Sequence, residues 1–95
     1  MLTGKQKRYL RSLAANERAI IQIGKEGLSA NLIDTLDKAL EARELVKVTV
    51  LKNCDDPVRE LAYDLAAGSN AEIVQTIGRV IVFYRRSKKR IIELW

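Results

Sequence analysis

The sequence predicts an α/β (α+β) two-layer sandwich in the order α-β-α-β-α-β-β, built on a mixed four-stranded sheet. Three observations predict it. Apolar residues alternate along the chain between helical spacing and short strand-like runs. Two successive β-α-β passages favour parallel neighbours joined by helical crossovers. Gly78-Arg79 between the last two apolar runs marks a tight hairpin and so adds an antiparallel pair. Helices packed on one sheet face leave the other in need of cover, which the first helix or the C-terminal tail could supply.

Residues 3–15 read as the first helix. Thr3 caps it and Gln6 completes a capping box, with Leu10, Leu13 and Ala14 on one face and Lys7 and Arg11 pointing away. Residues 19–23 are rich in β-branched side chains and read as a short, mostly buried strand. Gly24-Lys25-Glu26-Gly27 breaks that strand, and Ser29 caps a second helix over 30–43 with Leu32, Ile33, Leu36, Ala39 and Leu40 as its apolar stripe. In the run 45–51, Val46, Val48 and Val50 share one strand face, and Lys47 and Thr49 share the other. Asp56 as N-cap and Pro57 at the first helical position open a third helix, carried by Val58, Leu61, Ala62 and Leu65 and stopped at Gly68. Residues 71–77 and 80–85 form the closing strands. The tail from Ser87 to Trp95 contains Ile91, Ile92, Leu94 and Trp95, too apolar for a free end, and is expected to dock on the body or on a neighbour.

The chain has 95 residues, enough for one small domain spanning 1–95. Its net charge of +5 is unevenly placed. Residues 1–11 carry Lys5, Lys7, Arg8 and Arg11 with no acid, and residues 85–95 carry Arg85, Arg86, Lys88, Lys89 and Arg90 against Glu93 alone. Each end is thus +4, while residues 12–84 hold eight bases against eleven acids, or −3. Such blocks suit a polyanionic partner.

Composition excludes much chemistry. With no histidine and Cys54 as the single cysteine, the chain can build neither a Cys/His zinc site nor a Ser-His-Asp or Cys-His centre. No catalytic residues, metal or cofactor are expected, nor a small-molecule substrate. No apolar run approaches the ~20 residues that span a bilayer, and the N-terminus runs straight into charged residues, so a cytoplasmic, reduced protein without a membrane partner is expected. Asp55 and Asp56 are better explained as caps than as a catalytic pair, and Cys54 as a buried thiol.

The glycine-bounded loop at 24–27 is the sharpest feature. It joins a strand to a helix start, where glycine permits close approach of a ligand and unpaired N–H groups favour phosphate. Lys25 at the tip adds a cation. The same spacing clamps nucleic-acid backbone in KH domains; the alternative is a tight β-α turn that merely needs two glycines. Walker and dinucleotide-binding patterns fail, lacking a Gly-Lys-Ser/Thr ending and a third glycine in phase. Phe83 and Tyr84 are strand neighbours facing opposite ways, and no stacking pair of aromatics is evident, so backbone and shape recognition is expected over base reading.

Ile-Gly-Lys-Glu-Gly-Leu-Ser at 23–29, a helix after it, and Gly-Arg-Val-Ile-Val-Phe-Tyr-Arg at 78–85 together resemble the chloroplast RNA splicing and ribosome maturation (CRM) domain. The chain is most similar to the stand-alone bacterial YhbY-like form, whose first helix opens as Leu2-Thr3-Gly4-Lys5-Gln6 does here. The resemblance covers essentially the whole chain. It implies a fold similar to the C-terminal domain of translation initiation factor three, RNA binding, and association with ribosomal RNA in precursors of the large ribosomal subunit. It also implies that Gly24, Lys25 and Gly27 form an RNA-contacting loop, with Arg85 ending the matching strand and Lys5, Lys7, Arg8 and Arg11 on a basic surface. Glu26 places an acid inside that loop, which shifts weight from charge to backbone N–H groups. The expected RNA contacts are therefore Gly24, Lys25, Glu26 and Gly27, then Lys5, Lys7, Arg8 and Arg11, then Arg85, Arg86, Lys88 and Lys89. Two other classes fit the basic balance: a DNA-binding, chromatin-type module, and a module for an acidic protein partner that docks through the apolar tail.

Overall fold

The computed structural model describes residues 2–94. The first helix, α1 (Gly4–Ala14), begins where the capping box places it: the Thr3 hydroxyl accepts from the Gln6 N–H at 3.1 Å, and the Gln6 side chain accepts from the Thr3 N–H at 2.9 Å. Then follow β1 (Ile21–Ile23), α2 (Ala30–Arg43), β2 (Leu45–Val50), α3 (Val58–Ser69), β3 (Glu72–Ile77) and β4 (Val80–Tyr84), the predicted order of elements. Ser29 caps α2 by accepting from the Leu32 N–H at 3.0 Å.

The sheet runs β1-β2-β4-β3, with β1 parallel to β2 and β4 antiparallel to both β2 and β3. Only the first β-α-β passage therefore joins neighbours. The second carries the chain past the place that β4 later fills, so β2 and β3 are parallel but not adjacent. Ile77 pairs with Val80 across the two-residue turn, and Gly78 takes the positive φ of +56° that this turn demands.

Both faces of the sheet are covered. On one, α2 and α3 bury Leu36, Leu40, Leu61 and Leu65 against Val46, Val48, Val50, Ile81 and Phe83. Each such side chain contributes roughly 1.5–3 kcal/mol. On the other, Leu10 and Ala14 of α1 meet Leu45, Val74, Val82 and Tyr84, and Ile92 and Leu94 of the tail pack beside them. The helix and the tail thus share the cover that the sequence assigned to one or the other. Phe83 and Tyr84 do face opposite ways, and both are core, one in each layer. Ile91 stays half exposed at 51%, and Trp95 lies outside the described residues.

Two helix boundaries differ from the sequence reading. Pro57, not Asp56, is the N-cap of α3 and makes no side-chain cap bond. The Asp56 carboxylate turns instead toward the glycine loop, accepting from the Leu28 N–H at 3.3 Å. At the other end α3 runs through Gly68 to Ser69, and Asn70 provides the left-handed cap at φ 58°. Gly68 is there for packing: a Cβ would come within 2.9 Å of the Ile33 side chain on α2.

Glu44 ends α2 at φ 67° and is fully buried. Its carboxylate accepts from the Ser87 N–H at 2.7 Å, the Ser87 hydroxyl at 3.0 Å and the Ile92 N–H at 2.6 Å. Burial pushes this carboxyl up, but the N–H groups of Ile92 and Ser87, the Ser87 hydroxyl and the Ile91 N–H outweigh it, and its pKa lies below the ordinary value. The tail is therefore pinned to the body by one buried anion.

Candidate nucleic-acid interface

The loop after β1 is a tight turn, closed by the Gly27 N–H donating to the Gly24 carbonyl at 3.0 Å. Its two glycines are there for different reasons. Gly27 has φ +63°, and a Cβ would stand 2.1 Å from an Asp56 carboxylate oxygen, so the fold itself demands glycine. Gly24 has no such need. A Cβ there would meet the Asn53 side chain at 3.6 Å, an ordinary contact.

The helix start is less open than the sequence implied. Asp56 takes the Leu28 N–H, and the Ser29 hydroxyl takes that of Leu32. Lys25 and Glu26 stand exposed at the tip, and their N–H groups form no hydrogen bond among the described residues. The loop's surroundings are firm. Arg79 donates to the carbonyls of Val50 at 2.9 Å and Leu51 at 2.7 Å, bracing the segment between β2 and α3 that backs Gly24. Beside the loop, a shallow groove of about 340 Å³ runs between β1 and α2. Gln22, Asn31 and Thr35 give it polar groups; Gln22 is the exposed residue of β1, and nothing local in the sequence links it to α2.

The basic segments lie elsewhere. The end of β4 pairs with the starts of β2 and β3, through Tyr84 with Leu45 and Glu72. Residues 85–90 therefore leave the sheet at the end opposite the loop, about 20 Å away along six-residue strands. The N-terminus of α1 is at that same end, with the Leu2 N–H on the Glu72 carboxylate at 2.8 Å. There Arg86 and Gln6 line one hollow. Lys5, Arg8, Arg11, Arg86, Lys88 and Lys89 are exposed, and Lys7 is half-buried.

Arg85 differs from the rest. Its side chain is only 17% exposed, pairs with Asp37 and Glu41 on α2, and donates to the Ser69 carbonyl at 2.8 Å. These bonds tie β4 to α2 and α3 and occupy the guanidinium. Cys54 is buried in the core, as expected of a structural thiol. Among the described residues no cluster of potential ligands could hold a metal ion, and no helix is long and apolar enough to cross a membrane.

Comparison with known proteins places this arrangement. The family model of the CRS1 / YhbY (CRM) domain matches residues 2–85. The chain belongs to the CRM domain family. A Bacillus subtilis relative, named Probable RNA-binding protein YqeI, is 52% identical, with 94% of this chain and 93% of the relative covered. A Haemophilus influenzae relative named RNA-binding protein is 33% identical over 98% of this chain and 94% of its own length. The solution structure of a Staphylococcus aureus protein superposes with a TM-score of 0.81 at 56% identity, covering 99% of both chains. In this CRM domain, then, the glycine loop and the basic segment after β4 occupy opposite ends of one sheet, and any ligand that touches both must span it.

Proposed function

We propose that this chain binds structured RNA without catalysis, as a single cytoplasmic domain acting on ribosomal RNA in precursors of the large subunit. The observation that carries the RNA reading is Gly24. The fold leaves room for a side chain there, so a glycine serves a ligand that comes close to the backbone. The exposed tip at Lys25 and Glu26 offers free N–H groups to a phosphate, Arg86, Lys88 and Lys89 hold the backbone at the far end, and the cations of α1 add to the basic surface. Family membership and the RNA-binding names of the relatives support this reading. The ribosomal assignment rests on the family resemblance alone.

Titration of a structured ribosomal RNA fragment and of duplex DNA at several salt concentrations tests it. If six phosphates are neutralised, affinity for RNA falls roughly 10³-fold between 50 and 200 mM salt, and RNA is preferred to DNA through its A-form shape and 2′-hydroxyls. Equal affinity for the two would make the chain a general nucleic-acid or DNA module. No binding to either would overturn the proposal.

A further inference from the structure

Two routes lead across the molecule from the glycine loop to the basic end. One follows β1, where the groove beside α2 is lined by Glu26 and by no cation. The other follows the opposite edge of the sheet, β3. Here a hollow of about 350 Å³ is bounded by Arg59 and Tyr63 of α3, Lys7 of α1, and Gln75 and Thr76 of the edge strand. No acid lines it. Arg59 and Lys7 form no ion pair among the described residues, and Tyr63 is 61% exposed, its hydroxyl with no hydrogen-bond partner there. Arg59 and Tyr63 are one turn apart on α3, so they project from the same face. The strand beside them is irregular, its register shifting between Ile73 and Gln75, and as an edge it leaves backbone groups unpaired.

An exposed aromatic ring sharing a hollow with two unpaired cations is what a single-stranded nucleotide recognises: a stacking surface for the base and charge for the neighbouring phosphates. The position also suits it. Arg59 sits in the first turn of α3, and Asp56, two residues before that helix, touches the glycine loop. Three strand spacings separate β1 from β3, roughly 14 Å, which about four nucleotides cover at ~3.4 Å each.

We propose that the β3 edge is a second RNA contact, in which Tyr63 stacks on an unpaired base while Arg59 and Lys7 hold the flanking phosphates. The inference rests on the RNA-binding reading above and adds to it a substrate class: a structured RNA with a single-stranded extension. It also places a base-stacking residue in a chain whose sequence showed no aromatic pair. Tyr63 sits in the third helix, away from Phe83 and Tyr84, so no local pattern connects it with a binding strand.

Three proteins, the wild type, Tyr63→Ala and Tyr63→Phe, are titrated with an RNA hairpin alone and with the same hairpin carrying a single-stranded tail on one end or the other. The expected result is that a tail tightens wild-type binding, that Tyr63→Ala loses this gain, on the order of tenfold, and that Tyr63→Phe keeps it. Binding to the bare hairpin should be alike in all three. If Tyr63→Ala matches wild type on every RNA, the second contact is refuted while RNA binding stands. If it weakens the bare hairpin as much as the tailed one, the single-strand assignment is refuted. If wild type binds no RNA, the underlying reading fails instead. Loss of a protein partner by Tyr63→Ala, with all RNA titrations unchanged, would make this edge a protein surface and overturn the inference.

Discussion

Replacing Glu44 by alanine is expected to cost about 3 kcal/mol of folding stability and to free the C-terminal segment. The substitution removes the acceptor for the N–H groups of Ser87 and Ile92 and for the Ser87 hydroxyl. Each buried donor left unsatisfied costs ~1–3 kcal/mol, and the total stays near the lower end of the sum because the tail can detach and hydrate. Detachment exposes Ile92 and Leu94, which cover the second core beside Tyr84. Denaturant unfolding and limited proteolysis after residue 86 read the two effects. Glu44→Gln retains one acceptor and should cost less.

The pH profile separates charge from shape. The Glu44 carboxyl has a lowered pKa in the folded chain, so its charge stabilises above the unfolded value of about 4.3, and this contribution is lost as pH falls through the lower folded value. Wild-type stability should therefore fall more steeply than that of Glu44→Gln below about pH 4.3. In the alkaline range Tyr84 acts in the opposite sense. Burial and the Glu44 charge push its hydroxyl up, against Arg86, so stability is lost as pH rises above about 10.

The second large effect concerns α1. Reversing Lys7, Arg8 and Arg11 to glutamate should lower RNA affinity by about two to three orders of magnitude near 0.1 M salt, and reduce the salt slope by about 2–3. Arg8 and Arg11 are exposed and Lys7 is half-buried, so the fold should survive, which circular dichroism would check. Arg85→Glu is expected to behave otherwise. It breaks the pairs with Asp37 and Glu41 and should lower stability before it alters any RNA contact.

Much of this was legible in the sequence because it is local. A capping box is read from Thr3 and Gln6 three residues apart, and the β2 faces from the alternation of Val46, Lys47 and Val48. What was missed depends on distant partners. Asp56 looked like a cap because it precedes Pro57; only the folded chain brings it to Gly27 and Leu28. Gly68 looked like a stop because helices often end in glycine, yet Ile33, on another helix, dictates it. The insertion of β4 between β2 and β3 is invisible to any window of sequence. Likewise the charge blocks were readable, but not that Arg85 is neutralised by α2 or that the chain after β4 and the start of α1 meet at the end of the sheet away from the glycine loop. Glu44, an ordinary acid by sequence, is a buried anchor because the tail wraps over it.

The central claim is that the glycine loop touches RNA, and Gly24→Ala tests it most directly. A Cβ at this position meets only ordinary contacts, with Asn53 at 3.6 Å and Leu51 at 3.8 Å, so the unfolding midpoint should hold or rise slightly. Gly27→Ala, which would collide with Asp56, serves as the contrasting variant that damages the fold. Equilibrium titration of a structured ribosomal RNA with Gly24→Ala should show affinity reduced by about tenfold or more, a loss of ~1.4 kcal/mol, at unchanged stability. A folded Gly24→Ala variant that binds RNA as tightly as the wild type would contradict the claim and leave the loop as a structural turn.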